Sequence, residues 1–213
     1  MAYCQKIDLK ANITTNGTLL KGVKETIFTA GSVRKIAVSL HSFEANRKDS
    51  LLDGYLDDVF EAVRLARAAG IICELRLWNG GGAEALNSSI VSGIGQAFDV
   101  QPGGIPDGFS DRKLGENLHL VFAPSFEWPS LEAQSSGDAV FCRGLRDHFG
   151  ILCDGTVVPC CLDGDGVISL GNALEMPLNA ILNSQRAWAI YNGFSHRRAV
   201  EPLCQRCGYA RRF

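Results

Sequence analysis

Apolar and polar positions alternate along the first part of the chain in a repeating order. A short β-run over residues 9–16 (LKANITTN) is closed by Gly17, and LLKGVKETIFTAG follows with helical spacing and a glycine stop. Val33 to Ser39 (VRKIAVS) has the β-branched core of a strand. HSFEANRKDS is a polar loop. The next stretch, LLDGYLDDVFEAVRLARAAG, is the strongest helix, with Leu52, Leu56, Val59, Phe60, Val63 and Leu65/Ala66 on one face and Gly70 as its cap. Ile71 to Trp78 reads as a strand that breaks at Asn79-Gly-Gly-Gly82, and Glu84 to Phe98 as a helix presenting Ile90, Ile94 and Phe98. Residues 99–117 read as a Gly/Pro/Asp-rich connection, and Leu118 to Ala123 as a further strand ended by Pro124. Strands alternating with helices predict a parallel sheet with crossover helices.

The pattern changes after the polar break SLEAQSSGDA. Ile151-Leu152-Cys153 and Thr156-Val157-Val158 flank Asp154-Gly155, the signal of a β-hairpin. A later helix is predicted over about residues 178–191, carrying Ile181, Leu182, Trp188 and Ile190. The chain therefore divides into an α/β scaffold over 1–130 and a small α+β module over 138–213.

Composition narrows the function classes. A net charge of −2 argues against a general nucleic-acid binder, and the basic tail (His196, Arg197, Arg198, Arg206, Arg211, Arg212) reads as a solvated face. No apolar run reaches a membrane span, and MAYCQKIDLKAN lacks the apolar core of a signal peptide. A cytoplasmic setting is expected, where clustered thiols favour metal over disulfides.

Six of the eight cysteines lie from Cys142 onward. Cys142 is followed by Cys160 after 17 residues, Cys204 after 43 more, and Cys207 after 2. The hairpin turns the chain back, so that Cys142 and Cys160 can face one another, and the closing C-x-x-C offers two ligands from one turn. Four thiolates suit either a tetrahedral zinc or an iron–sulfur cluster. Adjacent cysteines rarely bind one centre together. Cys160 is favoured because it follows Val158-Pro159, and Cys161 is its substitute. Cys73 is expected in a core, Cys153 in a core or as a substitute ligand, Cys4 as a free thiol, and His41 as structural or solvated. Asp163-Gly-Asp165-Gly lacks the later ligands of a calcium loop and reads as a turn. Arg76, on a strand just before the glycine-rich break, reads equally as a site residue or a surface ion pair.

The run Asp154-Gly155-Thr156-Val157-Val158-Pro159-Cys160-Cys161-Leu162-Asp163, with Cys142 before it and Leu170-Gly171-Asn172 and Cys204/Cys207 after it, resembles the C-terminal module of radical S-adenosylmethionine proteins, the SPASM or shorter "twitch" domain. The resemblance implies one auxiliary [4Fe-4S] cluster on Cys142, Cys160, Cys204 and Cys207. It extends upstream. Ile13-Thr14-Thr15-Asn16-Gly17-Thr18-Leu19-Leu20 is similar to the T-N-G-x-L-L at the third barrel strand, and Val38-Ser39-Leu40-His41-Ser42-Phe43 to the fourth strand. Leu75-Arg76-Leu77-Trp78-Asn79 is similar to the fifth, and Phe126-Glu127-Trp128-Pro129 to the segment after the sixth. By resemblance Ser39, Arg76 and Asn79 lie on the S-adenosylmethionine side of a partial β/α barrel. The family's catalytic C-x-x-x-C-x-x-C is absent from these residues, because no cysteine lies between Cys4 and Cys73. The expectation is a truncated family member, beginning near the third strand, that does not cleave S-adenosylmethionine alone. The missing barrel segment would belong to a longer reading frame of which this is a fragment, or be supplied by a partner in trans, and a peptide or small molecule would be the substrate of the complete oxidoreductase-like enzyme. The rival expectation is a zinc-stapled interaction module without catalysis.

Overall fold

The computed structural model describes residues 1–41, 54–81 and 84–212, with the side chains of 211 and 212 left aside. The polar loop beyond His41, the Ser42-Phe43 end of the fourth-strand resemblance, Leu52 and Gly82 lie outside the described residues. The chain divides into two units, Met1–Ser125 and Phe126–Phe213. Among the described residues no helix is long and apolar enough to cross a membrane.

In the first unit, β1 (Ala11–Thr15), β2 (Val33–Ser39), β3 (Ile72–Trp78) and β5 (Leu118–Ala123) run parallel. The sheet order is β1-β2-β3-β5-β4. The last strand corrects the expected loop over 99–117: β4 (Ser110–Gly115) pairs antiparallel with β5. SDRKLG lacks the β-branched residues that mark a strand, so only the hairpin with β5 selects its conformation. Arg112 holds it there, donating to the Pro102 carbonyl at 2.9 Å and lying over the Phe122 ring at 5.5 Å.

The described helices of this unit are α1 (Ala2–Lys6), α2 (Leu20–Phe28), α3 (Tyr55–Ala68) and α4 (Asn87–Phe98). The core face of α3 is Tyr55, Val59, Phe60, Ala62, Val63 and Ala66, while Leu65 is exposed. Asp57 and Asp58 in its first turn and Arg67 in its last complement the helix dipole. The Tyr55 hydroxyl donates to the Asn16 carbonyl at 2.5 Å, which ties α3 to the turn after β1. Asn16 Oδ1 accepts from Thr18 N and Oγ1, so the T-N-G turn is an Asx turn. Cys73, Leu75 and Leu77 alternate into the core of β3, which leaves Glu74, Arg76 and Trp78 on the half-covered face. Cys73 is fully buried, as expected, and burial pushes its thiol up to about 12.

The second unit has its own core, built from Val157, Ile168, Leu170, Ile181, Ala187, Ile190, Phe194, Ala199 and Leu203. Its sheet is β6 (Gly150–Ile151), β7 (Thr156–Val158) and β8 (Gly171–Asn172), antiparallel throughout. The single helix expected over 178–191 is two, α5 (Leu178–Leu182) and α6 (Gln185–Ser195). Ser184 adopts an extended conformation between them and caps α6, its hydroxyl accepting from Ala187 N at 3.3 Å. Phe126, in a segment expected to follow the first domain's last strand, packs within this unit. Its ring lies 5.5 Å from that of Trp128 and 5.2 Å from that of Tyr209.

Candidate metal centre

The hairpin that carries Cys160 is set by its turn. Gly155 has φ +89°, and Asp154 Oδ1 accepts from Thr156 N at 3.0 Å. The L-G-N run clamps this turn from the next strand. Asn172 Nδ2 donates to the Asp154 carbonyl at 2.9 Å, and Ala173 N donates to the Gly155 carbonyl at 2.8 Å. Two motifs 17 residues apart (Gly155 to Asn172, by sequence number) are thus one device. Asp163, only 3% exposed, closes the loop after the cysteine pair, its carboxylate accepting from Val167 N at 2.9 Å and Ile168 N at 2.8 Å. Hence Asp163-Gly-Asp165-Gly is a turn, as its spacing implied.

Cys142 meets this hairpin. The Gly144 amide donates to Cys142 Sγ at 3.4 Å, and Leu145 N donates to the Pro159 carbonyl at 3.1 Å. A Cβ on Gly144 would sit 3.1 Å from the Pro159 oxygen and 3.6 Å from both Cys142 Sγ and Cys160 Cβ. The Cys142 and Cys160 segments therefore press together across a residue without a side chain. Gly144→Ala should wedge them apart by a few tenths of an ångström. Site geometry is sensitive to errors of about 0.5 Å, so a metal centre held by these two thiolates should be lost to a chelator faster from the variant than from wild type. Release at the wild-type rate would show that the contact is slack.

The C-x-x-C lies on a 3₁₀ turn, Cys204–Arg206, closed by Cys207 N donating to the Cys204 carbonyl at 3.3 Å. Arg206 anchors the turn through the Ala133 and Pro202 carbonyls, both at 2.9 Å. Just before it, Glu201 takes a bidentate pair from Arg186 at 2.7 and 2.9 Å, and Arg186 also donates to the Ser169 carbonyl at 2.9 Å. The sequence offered no sign of this Arg186–Glu201 brace.

Cys142, Cys160, Cys204 and Cys207 are all partly buried, whereas Cys161 and Cys153 are exposed. The exposure of Cys153 corrects the core placement expected for it: it sits in the hairpin loop beyond the last paired residue, Ile151. Burial pushes the Cys142 thiol up, with the neighbouring Cys207 adding to it and the Gly144 amide opposing it. Burial pushes Cys160 up to about 11, opposed by the Leu162 amide and reinforced by Cys142 and Cys161. Cys204 is raised furthest, by burial and then by Cys160, Cys142, Cys207 and Glu201. These thiols are near enough to resist one another's ionisation. Among the described residues, however, no three potential ligands already stand close enough to close on a single ion. Tetrahedral zinc at a Zn–S distance of about 2.3 Å would need sulfurs about 3.8 Å apart, whereas a cubane cluster spreads its ligands more widely. The donor set is soft, and a cationic core would offset the thiolate repulsion. It fits an iron–sulfur group.

The three residues expected on the cofactor side lie in the first unit. Ser39 and Arg76 are register partners near the carboxyl ends of β2 and β3. Asn79, just beyond β3, is buried, and its Nδ2 donates to the Pro106 and Gly108 carbonyls. His41 is stacked on Trp78 with centroids 4.0 Å apart. Burial lowers its pKa to about 4; the Arg76 carbonyl opposes the shift and the Arg76 charge adds to it. As pH falls from about 6.5, the unfolded chain takes up a proton that the folded state refuses until about 4. Stability attached to this group is thus intact above pH 6.5 and lost across that window. The urea midpoint of His41→Gln should fall less than that of wild type between those pH values; parallel slopes would remove His41 from the account.

The family model of the SPASM iron-sulfur cluster-binding domain matches residues 142–208. The match opens on Cys142 and closes one residue after Cys207. No curated protein and no solved structure matches the chain. The second unit therefore carries a SPASM domain, a module that binds an iron–sulfur cluster.

Proposed function

We propose that Cys142, Cys160, Cys204 and Cys207 hold one [4Fe-4S] cluster, with exposed Cys161 left outside it. The observation that carries this reading is the convergence of four partly buried cysteines from three separated segments, where the thiols of Cys142, Cys160 and Cys204 are raised by burial and by their cysteine neighbours. A bound cluster of this kind supplies a one-electron carrier. The protein's part is to hold the thiolates, donate the Gly144 N–H to a sulfur and fix both turns.

The reading extends to a role as auxiliary centre in a radical S-adenosylmethionine enzyme that oxidises or modifies a peptide or small molecule. Its support is the motif set of the first unit: parallel strands, the T-N-G turn after β1, and Ser39, Arg76 and Asn79 at the carboxyl ends of β2 and β3. These strands would form part of the family's β/α barrel. The 213 residues contain no C-x-x-x-C-x-x-C, so ligands for a catalytic cluster would come from outside them, in trans or from further sequence.

Anaerobic reconstitution followed by iron and sulfide assay tests the cluster. About four iron and four sulfide per chain, with charge-transfer absorbance, is the expected result. One zinc and no sulfide in protein prepared without oxygen would replace this reading with a zinc-stapled module.

A further inference from the structure

Among the described residues, two buried side-chain polar atoms have no hydrogen-bond partner, His41 Nδ1 and Asn79 Oδ1. Both follow the carboxyl ends of neighbouring parallel strands, β2 and β3. That edge is where open α/β sheets take their ligands. Asn79 is the more informative of the two. It is 7% exposed, and its amide orientation is settled because both of its partners, the Pro106 and Gly108 carbonyls, are acceptors. The orphan is therefore the oxygen, an acceptor with no donor. Buried polar groups are almost always paired, and an exception calls for an explanation such as a ligand.

Asn79 forms part of the wall of a cavity of about 490 Å³ with Gly80, Glu84, Asn87 and the loop from Ile105 to Gly108. That is ample for a small ligand or one long side chain. Its side-chain amide donors are already spent within the chain. Asn79 Nδ2 holds the loop, and Asn87 Nδ2 donates to the Trp78 carbonyl at 2.6 Å. The Gly80 amide donates to one Glu84 carboxylate oxygen. What the side chains leave over are acceptors: Asn79 Oδ1, Glu84 and Asp107. The ionisable walls are both acidic, with no lysine or arginine among the lining residues. The visitor must bring N–H donors and positive charge. A metal ion is a poorer match, because no three carboxylate, histidine or cysteine ligands gather among the described residues. An ammonium brings three donors to three acceptor groups.

We infer that this cavity is a binding site for a primary ammonium group, carried by a free alkylamine or by a lysine side chain of a peptide. The site belongs to the first unit and does not depend on the cluster. Calorimetric titration of the full chain, with and without reconstituted iron, should therefore give the same affinity. The probes are n-butylammonium, N-acetyl-lysine-N-methylamide and the neutral Nε-acetylated form of the latter. Saturable binding of a charged probe, about tenfold or more tighter than the neutral one, is expected. Glu84 and Asp107 are exposed, so their substitution leaves the core untouched. The Glu84→Gln/Asp107→Asn double variant should lose about tenfold in affinity, and the amide resonances of Gly80 and Gly108 should shift in wild type on titration. The tighter of the two charged probes identifies the source of the ammonium. Equal binding of the neutral probe, no binding of either charged probe, or unchanged binding by the double variant would overturn the inference. Iron content in the same samples reports separately on the cluster.

Discussion

Cys204→Ser should strip the reconstituted protein of most of its iron, from about four atoms per chain to fewer than about one. Serine keeps the shape of the side chain and removes the soft ligand. Cys204 is the sharpest position to test because its thiol feels Cys160, Cys142 and Cys207 together, which places it amid the proposed ligands. Cys161→Ser and Cys153→Ser are the controls. Both side chains are exposed, and both variants should keep wild-type iron. Iron and sulfide assay after anaerobic reconstitution and desalting reads the outcome. Wild-type iron in Cys204→Ser would break the four-cysteine assignment. Loss of iron in Cys161→Ser, with retention in Cys160→Ser, would exchange the roles of the adjacent pair.

The second large effect is on stability. Phe122→Ala should cost the first unit about 3–5 kcal/mol, the usual range for deleting a buried phenylalanine. Phe122 is fully buried on β5, opposite Leu77 of β3 and Ser110 of β4. Its loss opens a hole where the parallel ladder meets the hairpin, and it also removes the ring beneath Arg112. Phe122→Leu, which keeps most of the volume, should cost about 1 kcal/mol and remain folded. Urea unfolding followed by amide hydrogen exchange separates the two cores, since Phe122 belongs to the first and Val157, Ile181 and Phe194 to the second. Exchange in β2, β3 and β5 should accelerate in the alanine variant. A loss below about 1 kcal/mol would mean that the sheet closes over the gap.

Strands and helices of the first unit were readable because their signals are local. Alternation of Cys73, Leu75 and Leu77, or the stripe of Val59, Phe60, Val63 and Ala66, follows from the period of the backbone and needs no partner. What was illegible depended on a partner. Ser110–Gly115 is a strand only because β5 offers it a ladder, and the break at Ser184 follows from a cap that helical spacing does not reveal. Cys153 reads as a core residue within an apolar run, yet it falls in the hairpin loop and is exposed.

The cysteine tail divides in the same way. Ligand chemistry and the hairpin turn were present in the order of residues, because thiolate softness and the D-G turn are properties of types and spacing. The chain fold alone decided that Gly144 is the point where the Cys142 and Cys160 segments touch, that Asn172 locks the turn at Asp154, and that Arg186 and Glu201 brace the approach to the C-x-x-C. It also decided that Asn79 spends its amide N–H groups on a distant loop and leaves its oxygen unpaired. Each of these is a contact between residues far apart in sequence. No local propensity encodes such a contact; it exists once packing has brought the segments to within hydrogen-bond reach.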